Sequence, residues 1–548
     1  MPDRARLVYD VTMWLYISSV PVLSRAGVML LPGRRHLRLT PPLIAGVVLA
    51  LLALGLYGYT LAPSVMPGDY AEFQLSAAVL GVPHPTGYPL YVMLGKLFTL
   101  LPFGDVAYRV NLSSAVYMAG AVAVLYALGV KLLRTIGLTR YWWAAIVGAA
   151  FFSIAPTVWS MSLLARSYAL NALLVGSVTL CLVIWRQSGK PRFFYASCLL
   201  IGLSLVHHGT TYLLLPAYGL YLLVAELRLR GAPADKHGGK RRLLGFLCLL
   251  LGLSPLLFLV YRFLGGSPYY WGNPTAWKDF FSLLTGGPFQ NQVLGFGADP
   301  ASQAGRALFG LGQLYNQFTF VGIAVGLLGL VVLWRAARSE AALFTLMMLG
   351  NFWFAMNYAL VGYLYFIPTY LLWALCMAVG VGWLGRAVLE WIGAGLPLRT
   401  RAMGLGAISL ALSALFLSSI AVRYPNIDQS SYTGTRDRAL SLLGTVPQGA
   451  SIYMDWEDIS VIRFYRLVYG LRTDLTLHTG DPTDWAKAIY CDLNSGVAAY
   501  VGTFAGAQPP QVARDFMLEP ASMGWRTVKV LDARRYAVPP CGTCATCR

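Results

Sequence analysis

The sequence predicts a polytopic α-helical membrane protein that ends in a small α/β domain. Only 12% of the 548 residues are charged and 57% are hydrophobic, whereas a soluble globular protein usually has about 25% charged residues. Apolar runs of about 20 residues, long enough to cross a bilayer, recur along most of the chain. Lys and Arg cluster between these runs, as the positive-inside rule describes. The net charge of +19 therefore reflects membrane topology, and we expect no nucleic-acid partner.

About eleven membrane-spanning helices fit the apolar runs when each has about 20 residues. They are expected at residues 42–61, 110–133, 141–163, 167–185, 193–206, 211–225, 243–264, 313–334, 341–358, 363–384 and 402–421. The basic clusters place the first loop after residue 61 outside the cytoplasm. The predicted domains are a cytoplasmic or interfacial segment (1–41), a transmembrane domain (42–423) and an extracytoplasmic α/β domain (424–548).

The segment 11–31 is apolar but contains Pro21 and Arg25. As a further membrane span it would reverse the orientation of every later segment. As a helix along the inner membrane surface it leaves that orientation unchanged. We favour the surface helix, although the sequence alone leaves both arrangements open.

The first outer loop contains the candidate catalytic residues, Asp69 and Glu72. After these two acids, only Asp105 provides a carboxylate before Glu226. Asp69 and Glu72 are three residues apart at the start of a predicted helix (70–80), so they share one face of it. They are candidate catalytic carboxylates. Alternatively, Asp69 caps the helix and Glu72 completes a capping box, and the two roles are compatible.

Three further residues of the outer loops are candidate substrate-binding residues. His84 and Tyr88 lie in a Pro-rich stretch (82–89) before a second predicted surface helix (90–101). This rigid stretch suits a loop that holds side chains against a substrate, and it equally suits a stiff connection between helices. Trp271 lies in a second outer loop (265–306), whose aromatic rings are expected at the lipid headgroups or in a cavity wall.

Arginines and histidines predicted near the outer face are candidate ligands for a phosphate. Arg109, Arg166 and Arg262 are the arginines in these positions, and a guanidinium forms bidentate hydrogen bonds with phosphate. The alternative for each is contact with lipid headgroups. His207 and His208 lie at an outer helix end. There they either bind an anion or a metal, or serve as interfacial polar residues.

From residue 424 onward, charges of both signs appear and the apolar runs shorten. Strands predicted at 451–454, 475–478 and 498–501 alternate with helical patterns such as 459–469, which favours an α/β domain. The acidic stretch from Asp455 to Asp458 is interpreted as a strand-to-helix connection. The sequence has no P-loop, no dinucleotide fingerprint in context and no zincin motif, so nucleotide-dependent chemistry is not expected.

Four cysteines lie in the predicted outer domain: Cys491, Cys541, Cys544 and Cys547. Outside the cytoplasm such cysteines favour disulfides. A metal site and an unpaired tail are the alternatives, and the pairing is left open. The cysteines of the predicted spans are interpreted as small apolar side chains.

Several sequence blocks resemble the membrane glycosyltransferase family related to protein O-mannosyltransferases, which was long catalogued as a domain of unknown function. They are residues 61–72, 80–91, 101–105, 109–114, 204–211 and 271–274. The resemblance implies the C-type glycosyltransferase fold, a polyprenyl-phosphate-linked sugar donor and reaction on the non-cytoplasmic face. It maps the catalytic acid to Asp69, with Glu72 as a candidate second acid. Arg166 stands where similar proteins have an acid before Tyr168, which puts binding of a divalent cation such as Mg or Mn in doubt.

The sequence therefore predicts a hexosyltransferase of the plasma membrane, similar to protein O-mannosyltransferases. It would move a sugar from a polyprenyl-phosphate donor to a hydroxyl of a protein or glycan acceptor, with Asp69 as general base. A flippase or transporter of lipid-linked sugars is the alternative, but it would favour ionisable groups within the spans. A non-catalytic scaffold is a third hypothesis. The sugar, the acceptor and the oligomeric state are not specified by the sequence.

Overall fold

The computed structural model describes residues 40–230, 238–293, 299–360, 362–393, 398–480, 482–502, 512, 516–520 and 527–533. The predicted segment 11–31 and the cysteines at 541, 544 and 547 lie outside these residues.

Helices make up the described chain up to residue 427. They are α1 Pro41–Tyr59, α2 Asp69–Val79, α3 Pro89–Thr99, α4 Val106–Thr135, α5 Ala144–Ser153, α6 Pro156–Met161, α7 Ser167–Ser188, α8 Pro191–His207, α9 Thr211–Arg230, α10 Gly238–Leu253, α11 Leu256–Gly265, α12 Trp277–Thr285, α13 Pro300–Ala336, α14 Arg338–Asn357, α15 Ile367–Gly393 and α16 Leu398–Ile427. Short 3₁₀ segments lie at Thr139–Tyr141, Gly287–Gln292 and Gly362–Phe366. The helices predicted at 70–80 and 90–101 are confirmed as α2 and α3.

Membrane-spanning length and composition are found in six helical stretches of the described residues. They are Pro41–Tyr59, Val106–Thr135, Ser167–Ser188, Gly238–Gly265, Pro300–Ala336 and Gly362–Trp391. Shorter apolar helices at Pro191–His207 and Thr211–Leu227 correspond to two further predicted crossings. The chain is thus a multi-pass membrane protein, while the count of about eleven spans stays a prediction.

Proline divides two of the predicted spans. The run at 141–163 forms α5 and α6, with Pro156 as the first residue of α6. The run at 243–264 forms α10 and α11, which are separated at Pro255. Proline lacks the N–H of a continuing helix and its ring crowds the preceding turn, so each run divides at its proline. The guanidinium of Arg423 donates to the Ile154 carbonyl oxygen (2.8 Å) at the first break.

The centre of the helical part is formed by α15, in which residues 367–380 are all buried. Helices α13 and α15 approach so closely that a Cβ on Gly329 would overlap the carbonyl oxygen of Cys376. A Cβ on Gly380 would overlap the carbonyl oxygen of Val325 in the same way. Small residues allow such backbone contact between membrane helices, where van der Waals packing drives association.

A five-stranded sheet with flanking helices follows the helical part. The elements are α17 Gly434–Thr445, β1 Ser451–Tyr453, α18 Trp456–Tyr469, β2 Thr476–His478, α19 Pro482–Asn494, β3 Ala499–Gly502, β4 Phe516–Pro520 and β5 Thr527–Ala533. The strand order is β2-β1-β3-β5-β4. Strand β1 is parallel to both neighbours, whereas β5 is antiparallel to β3 and β4. The three predicted strands correspond to β1, β2 and β3, and the sequence analysis missed β4 and β5.

This sheet region contacts the first outer loop directly. Apolar residues of α2, including Ala71 and Leu75, share one buried cluster with Ile459 and Ile462 of α18. The backbone N–H of Gly68 also donates to the Glu457 carbonyl oxygen (3.2 Å). Helix α2, which begins with Asp69, is therefore held between the membrane helices and the sheet region.

Candidate active site

A cavity of about 1030 Å³ opens where the two outer loops meet the sheet region. Its acidic and basic lining residues are Asp69, Glu457, His84, Arg166, Arg463 and Arg466, and its aromatic ones include Tyr88, Tyr168, Trp271, Tyr365 and Trp456. Such a volume is in the range of pockets that hold small-molecule ligands, which are typically about 300–1,000 Å³. The predicted candidates Asp69, His84, Tyr88, Arg166 and Trp271 are thus brought together.

Asp69 is the first residue of α2, and the residue at the N-cap position is Gly68. Gly68 has φ +70° and ψ −145°, a conformation that favours glycine. The interpretation of Asp69 as a helix cap is therefore wrong, because the chain turns one residue earlier. The Asp69 carboxylate instead forms an ion pair with Arg166, with 24% of the Asp69 side chain exposed. It is the carboxylate of the predicted pair that lines the cavity.

Arg166 directly precedes α7 and places its guanidinium against the cavity. The guanidinium carbon lies 4.9 Å from the ring centre of Tyr70 and 5.7 Å from that of Tyr168. These contacts are cation–π interactions, and they fix the plane of the guanidinium. Only 10% of the Arg166 side chain is exposed. The buried Nε atom has no hydrogen-bond partner among the described residues.

Glu72 is completely buried and lies behind the cavity wall rather than in it. Its carboxylate accepts hydrogen bonds from the His84 backbone N–H (3.0 Å) and the Tyr269 hydroxyl (2.7 Å). It also pairs with Nδ1 of His84. Burial and the adjacent Glu72 carboxylate raise the pKa of Tyr269 well above its usual value, so Tyr269 remains a neutral donor. The geometry therefore favours a positioning role for Glu72 over direct contact with a substrate, and no capping box forms with Asp69.

His84 has one ring nitrogen directed toward the protein and one left for the cavity. Because Nδ1 is held by Glu72, Nε2 is the atom available to a ligand. The ring makes edge contacts with Tyr88 (5.3 Å between centres) and with Trp456 (5.8 Å). Packing and the buried carboxylate therefore hold His84 and Tyr88 in fixed positions in the wall.

The second outer loop is joined to the first by short backbone pairing. The Val82 N–H donates to the Tyr269 carbonyl oxygen (2.8 Å), and the Trp271 N–H donates to the Val82 carbonyl oxygen (2.9 Å). A Cβ on Gly81 would approach the Tyr269 carbonyl oxygen to 2.9 Å, so only glycine allows this approach without a shift. Of the two locations predicted for Trp271, the lipid headgroups and a cavity wall, the structure shows the cavity wall.

His207 and His208 lie behind Tyr88, and neither belongs to the described lining of the cavity. His207 Nε2 bonds to the Ser167 carbonyl oxygen (2.9 Å), and His208 Nδ1 bonds to the Thr210 hydroxyl (2.8 Å). Their rings lie 6.3 and 6.2 Å from the Tyr88 ring. The structure thus assigns the pair to support of the wall, and direct substrate binding by it is not supported.

Arg109 and Arg262 lie away from the cavity lining, so the geometry does not support their predicted role in substrate binding. The Arg109 guanidinium donates to the carbonyl oxygens of Thr99 (2.6 Å), Leu101 (2.5 Å) and Asp105 (3.2 Å). It therefore fixes the connection between α3 and α4. The Arg262 guanidinium lies over the rings of its own helix, 5.5 Å from Phe258 and 5.6 Å from Tyr261.

Helix α18 supplies a cavity wall that the sequence analysis missed. Asp455 caps α18 by accepting from the Asp458 N–H (2.8 Å), which confirms the strand-to-helix connection. The same turn places Trp456 and Glu457 in the cavity lining. The side chain of Asp458 is largely buried, and this burial raises its pKa to about 6. Arg463 and Arg466 are added from later turns of α18. The sequence did contain one signal for this wall: Asp455, Glu457 and Asp458 mark a capped turn that starts a helix.

A divalent cation does not fit the residues described. Among them, no group of three or more His, Cys, Asp or Glu side chains is placed to hold a metal ion. Asp69 is paired with Arg166, and Glu72 is occupied by His84 and Tyr269. These carboxylates are already satisfied by protein donors.

Comparison with known proteins supports the resemblance seen in the sequence. Residues 69–230 match the family model described as protein O-mannosyl-transferase TMEM260 N-terminal domain. Protein O-mannosyl-transferase TMEM260 of Mus musculus is 32% identical over 233 residues, which cover 41% of this chain and 31% of the relative. The Dictyostelium discoideum protein of the same name is 25% identical over 314 residues, covering 53% of this chain and 36% of the relative. The chain therefore matches about a third of the length of these curated relatives.

Solved structures confirm the C-type glycosyltransferase fold. ArnT from Cupriavidus metallidurans, bound to undecaprenyl phosphate, has a TM-score of 0.53 and 16% identity, with 88% of this chain and 97% of that one covered. AglB from Archaeoglobus fulgidus, in complex with an inhibitory peptide and a dolichol-phosphate, has a TM-score of 0.50 and 12% identity, with 91% and 75% covered. At these identities the likeness concerns the fold. The predicted resemblance to glycosyltransferases related to protein O-mannosyltransferases is confirmed.

Proposed function

We propose that this chain is a membrane glycosyltransferase that moves a hexose from a polyprenyl-phosphate donor to a hydroxyl of a protein or glycan acceptor. One observation carries the proposal: Asp69 and Arg166, an acid and a side chain suited to binding phosphate, lie together in the lining of one large cavity. The match of residues 69–230 to a protein O-mannosyl-transferase domain supports the sugar-transfer class and makes mannose the first sugar to test.

The donor's phosphate and sugar are the groups that the cavity would hold, while its polyprenyl chain remains in the bilayer. Arg166, Arg463 and Arg466 supply positive charge around the cavity, and a guanidinium suits a phosphate because of its paired N–H donors. Trp271 and Tyr88 offer aromatic faces to the sugar. The cavity is assigned to the extracytoplasmic side of the plasma membrane, because the basic clusters of the sequence lie on the other side of the first span.

The reaction is a single displacement at the anomeric carbon. The acceptor hydroxyl oxygen forms the new bond, and the bond from the anomeric carbon to the phosphate oxygen breaks. The phosphate leaves with the electron pair, and the hydroxyl proton moves to the Asp69 carboxylate. General base catalysis of this kind typically contributes about 10²–10⁴-fold. The arginines stabilise the negative charge of the departing phosphate, and no step is assigned to a divalent cation.

Replacement of Asp69 by Asn tests the function. Transfer of labelled mannose from a polyprenyl-phosphate donor should fall by at least about 100-fold, because the amide cannot accept the proton. The matched control is Asp437→Asn, which also removes a carboxylate paired with an arginine (Arg436, 2.9 Å) but lies on α17 away from the cavity. Undiminished transfer by a folded Asp69→Asn protein would overturn the role of Asp69. Absence of transfer by the unmodified protein, with any hexose donor tested, would overturn the proposed activity.

A further inference from the structure

We propose that Arg166 and the N-terminus of α7 form the binding site for the donor's phosphate, and that the phosphate displaces Asp69 from Arg166. The inference rests on the proposed function and adds to it the position of the phosphate and a binding order. Asp69 would be released as a base only when the donor is in place.

The ion pair in the structure is the first argument. Asp69 and Arg166 are bound to each other, and both line the cavity. A carboxylate bound to a guanidinium is a weaker proton acceptor than the free carboxylate, because protonation would cost the ion pair. The proposed base is thus masked in the form of the protein that the structure shows. A second anion that competes for Arg166 would remove the mask.

The environment of Arg166 favours phosphate as that anion. Arg166 is only 8% exposed, and its buried Nε atom has no hydrogen-bond partner among the described residues. A ligand that bonds Nε together with a terminal nitrogen would satisfy it, and a phosphate offers paired oxygens for that geometry. The rings of Tyr70 and Tyr168 keep the guanidinium in place during the exchange.

The helix that follows Arg166 provides a second set of donors. Helix α7 has 22 residues, and no side chain of the described part caps its first turn. The first backbone N–H groups of a helix have no partner within the helix, and the helix dipole favours an anion there. Ser167 and Tyr168, the first two residues of α7, belong to the cavity lining. A phosphate on Arg166 would therefore lie beside the free end of a long helix.

The exchange predicts that loss of the catalytic carboxylate improves phosphate binding. Asp69→Asn removes the internal anion that competes for Arg166, so a short-chain isoprenyl monophosphate should bind on the order of tenfold more tightly. Arg166→Gln should weaken the same binding roughly tenfold or more, because it removes charge-assisted hydrogen bonds. Binding is measured by calorimetry on the full-length protein in detergent. The matching isoprenyl alcohol is the control ligand, and its affinity should not respond to Asp69→Asn.

The double variant decides whether the gain passes through Arg166. In the Arg166→Gln background, Asp69→Asn should give no gain, whereas independent effects would give the same tenfold factor. Asp437→Asn should leave phosphate affinity unchanged.

The exchange would be overturned if Asp69→Asn binds the isoprenyl monophosphate no more tightly than the unmodified protein does. It would also be overturned if Asp69→Asn increases the affinity by the same factor in the Arg166→Gln background. These outcomes are independent of catalysis. A protein whose transfer depends on Asp69 but whose phosphate affinity does not would retain the proposed function and lose this inference.

Discussion

Asp69 and Glu72 lie one helical turn apart on α2 but have different surroundings. Asp69 is partly exposed to the cavity beside Arg166, while Glu72 is fully buried and accepts hydrogen bonds from His84 and Tyr269. Buried charges are stable only when paired and hydrogen-bonded. Glu72 therefore joins the two outer loops from behind the wall, since His84 belongs to the first loop and Tyr269 to the second.

Replacement of Glu72 by Gln should destabilise the protein and lower transfer together. The amide places an N–H₂ group where the carboxylate met Nδ1 of His84, and a buried donor or acceptor left unmatched costs about 1–3 kcal/mol. We expect a lower midpoint of thermal unfolding in detergent and a reduced transfer rate. Tyr269→Phe removes one of the bonds and keeps the carboxylate, so its loss should be smaller. A Glu72→Gln protein with unchanged stability and unchanged transfer would contradict the positioning role.

The sequence predicted which residues line the cavity more accurately than it predicted what each of them does. Asp69, His84, Tyr88, Arg166 and Trp271 were candidates, and all line the cavity. Which acid faces the cavity depends on how α2 is oriented in the fold, and where α2 begins depends on the positive φ of Gly68, one residue before the aspartate that could have capped it. A conformation of this kind depends on the surrounding contacts, which the local sequence does not contain.

Helices α13 and α15 show how single residues set the distance between elements. Gly329 and Gly380 allow backbone contact, and most of the adjoining length of α15 is buried. Periodicity and apolar length predicted both helices, but neither signal indicates which faces meet. Pro156 and Pro255, by contrast, are visible in the sequence, and each divides an apolar run that its length predicts as one span.

A methyl group at Gly329 should separate these two helices. In Gly329→Ala the new Cβ overlaps the Cys376 carbonyl oxygen, a backbone atom that cannot move away alone. Overpacking of this kind typically costs about 1–3 kcal/mol, so the thermal unfolding midpoint should fall. The control is Gly312→Ala on the same helix, where nothing in the described structure lies within 4 Å of the new Cβ. There alanine should be neutral or stabilising, by up to about 1 kcal/mol. Equal effects of the two substitutions would contradict the close contact.

The whole molecule brings distant segments to one cavity, among them the start of α7 and the turn between α14 and α15. Three larger parts of its wall come from the first outer loop, the second outer loop and α18. The first two could be predicted, because aromatic residues, prolines and rare charges mark loops at a membrane surface. The third could not, since the pairing of α18 with α2 depends on tertiary packing among apolar residues that look like any domain core. The fold class could therefore be predicted from the sequence, whereas only some of the residues that line the cavity could be.

If α18 positions the catalytic helix, damage at their contact should reduce transfer more than equal damage elsewhere in the sheet region. Ile462 is buried in the cluster that α18 shares with α2, whereas Ile489 is buried in a second cluster on the sheet with Tyr453 and Trp485. Replacing either by Ala should cost about 2–5 kcal/mol of unfolding free energy. Ile462→Ala should in addition move α2, and with it Asp69, so its transfer rate should fall well below that of Ile489→Ala. Transfer and thermal unfolding of both variants are measured in the same detergent. Equal transfer rates at equal loss of stability would show that the sheet region supports the cavity only through its general stability.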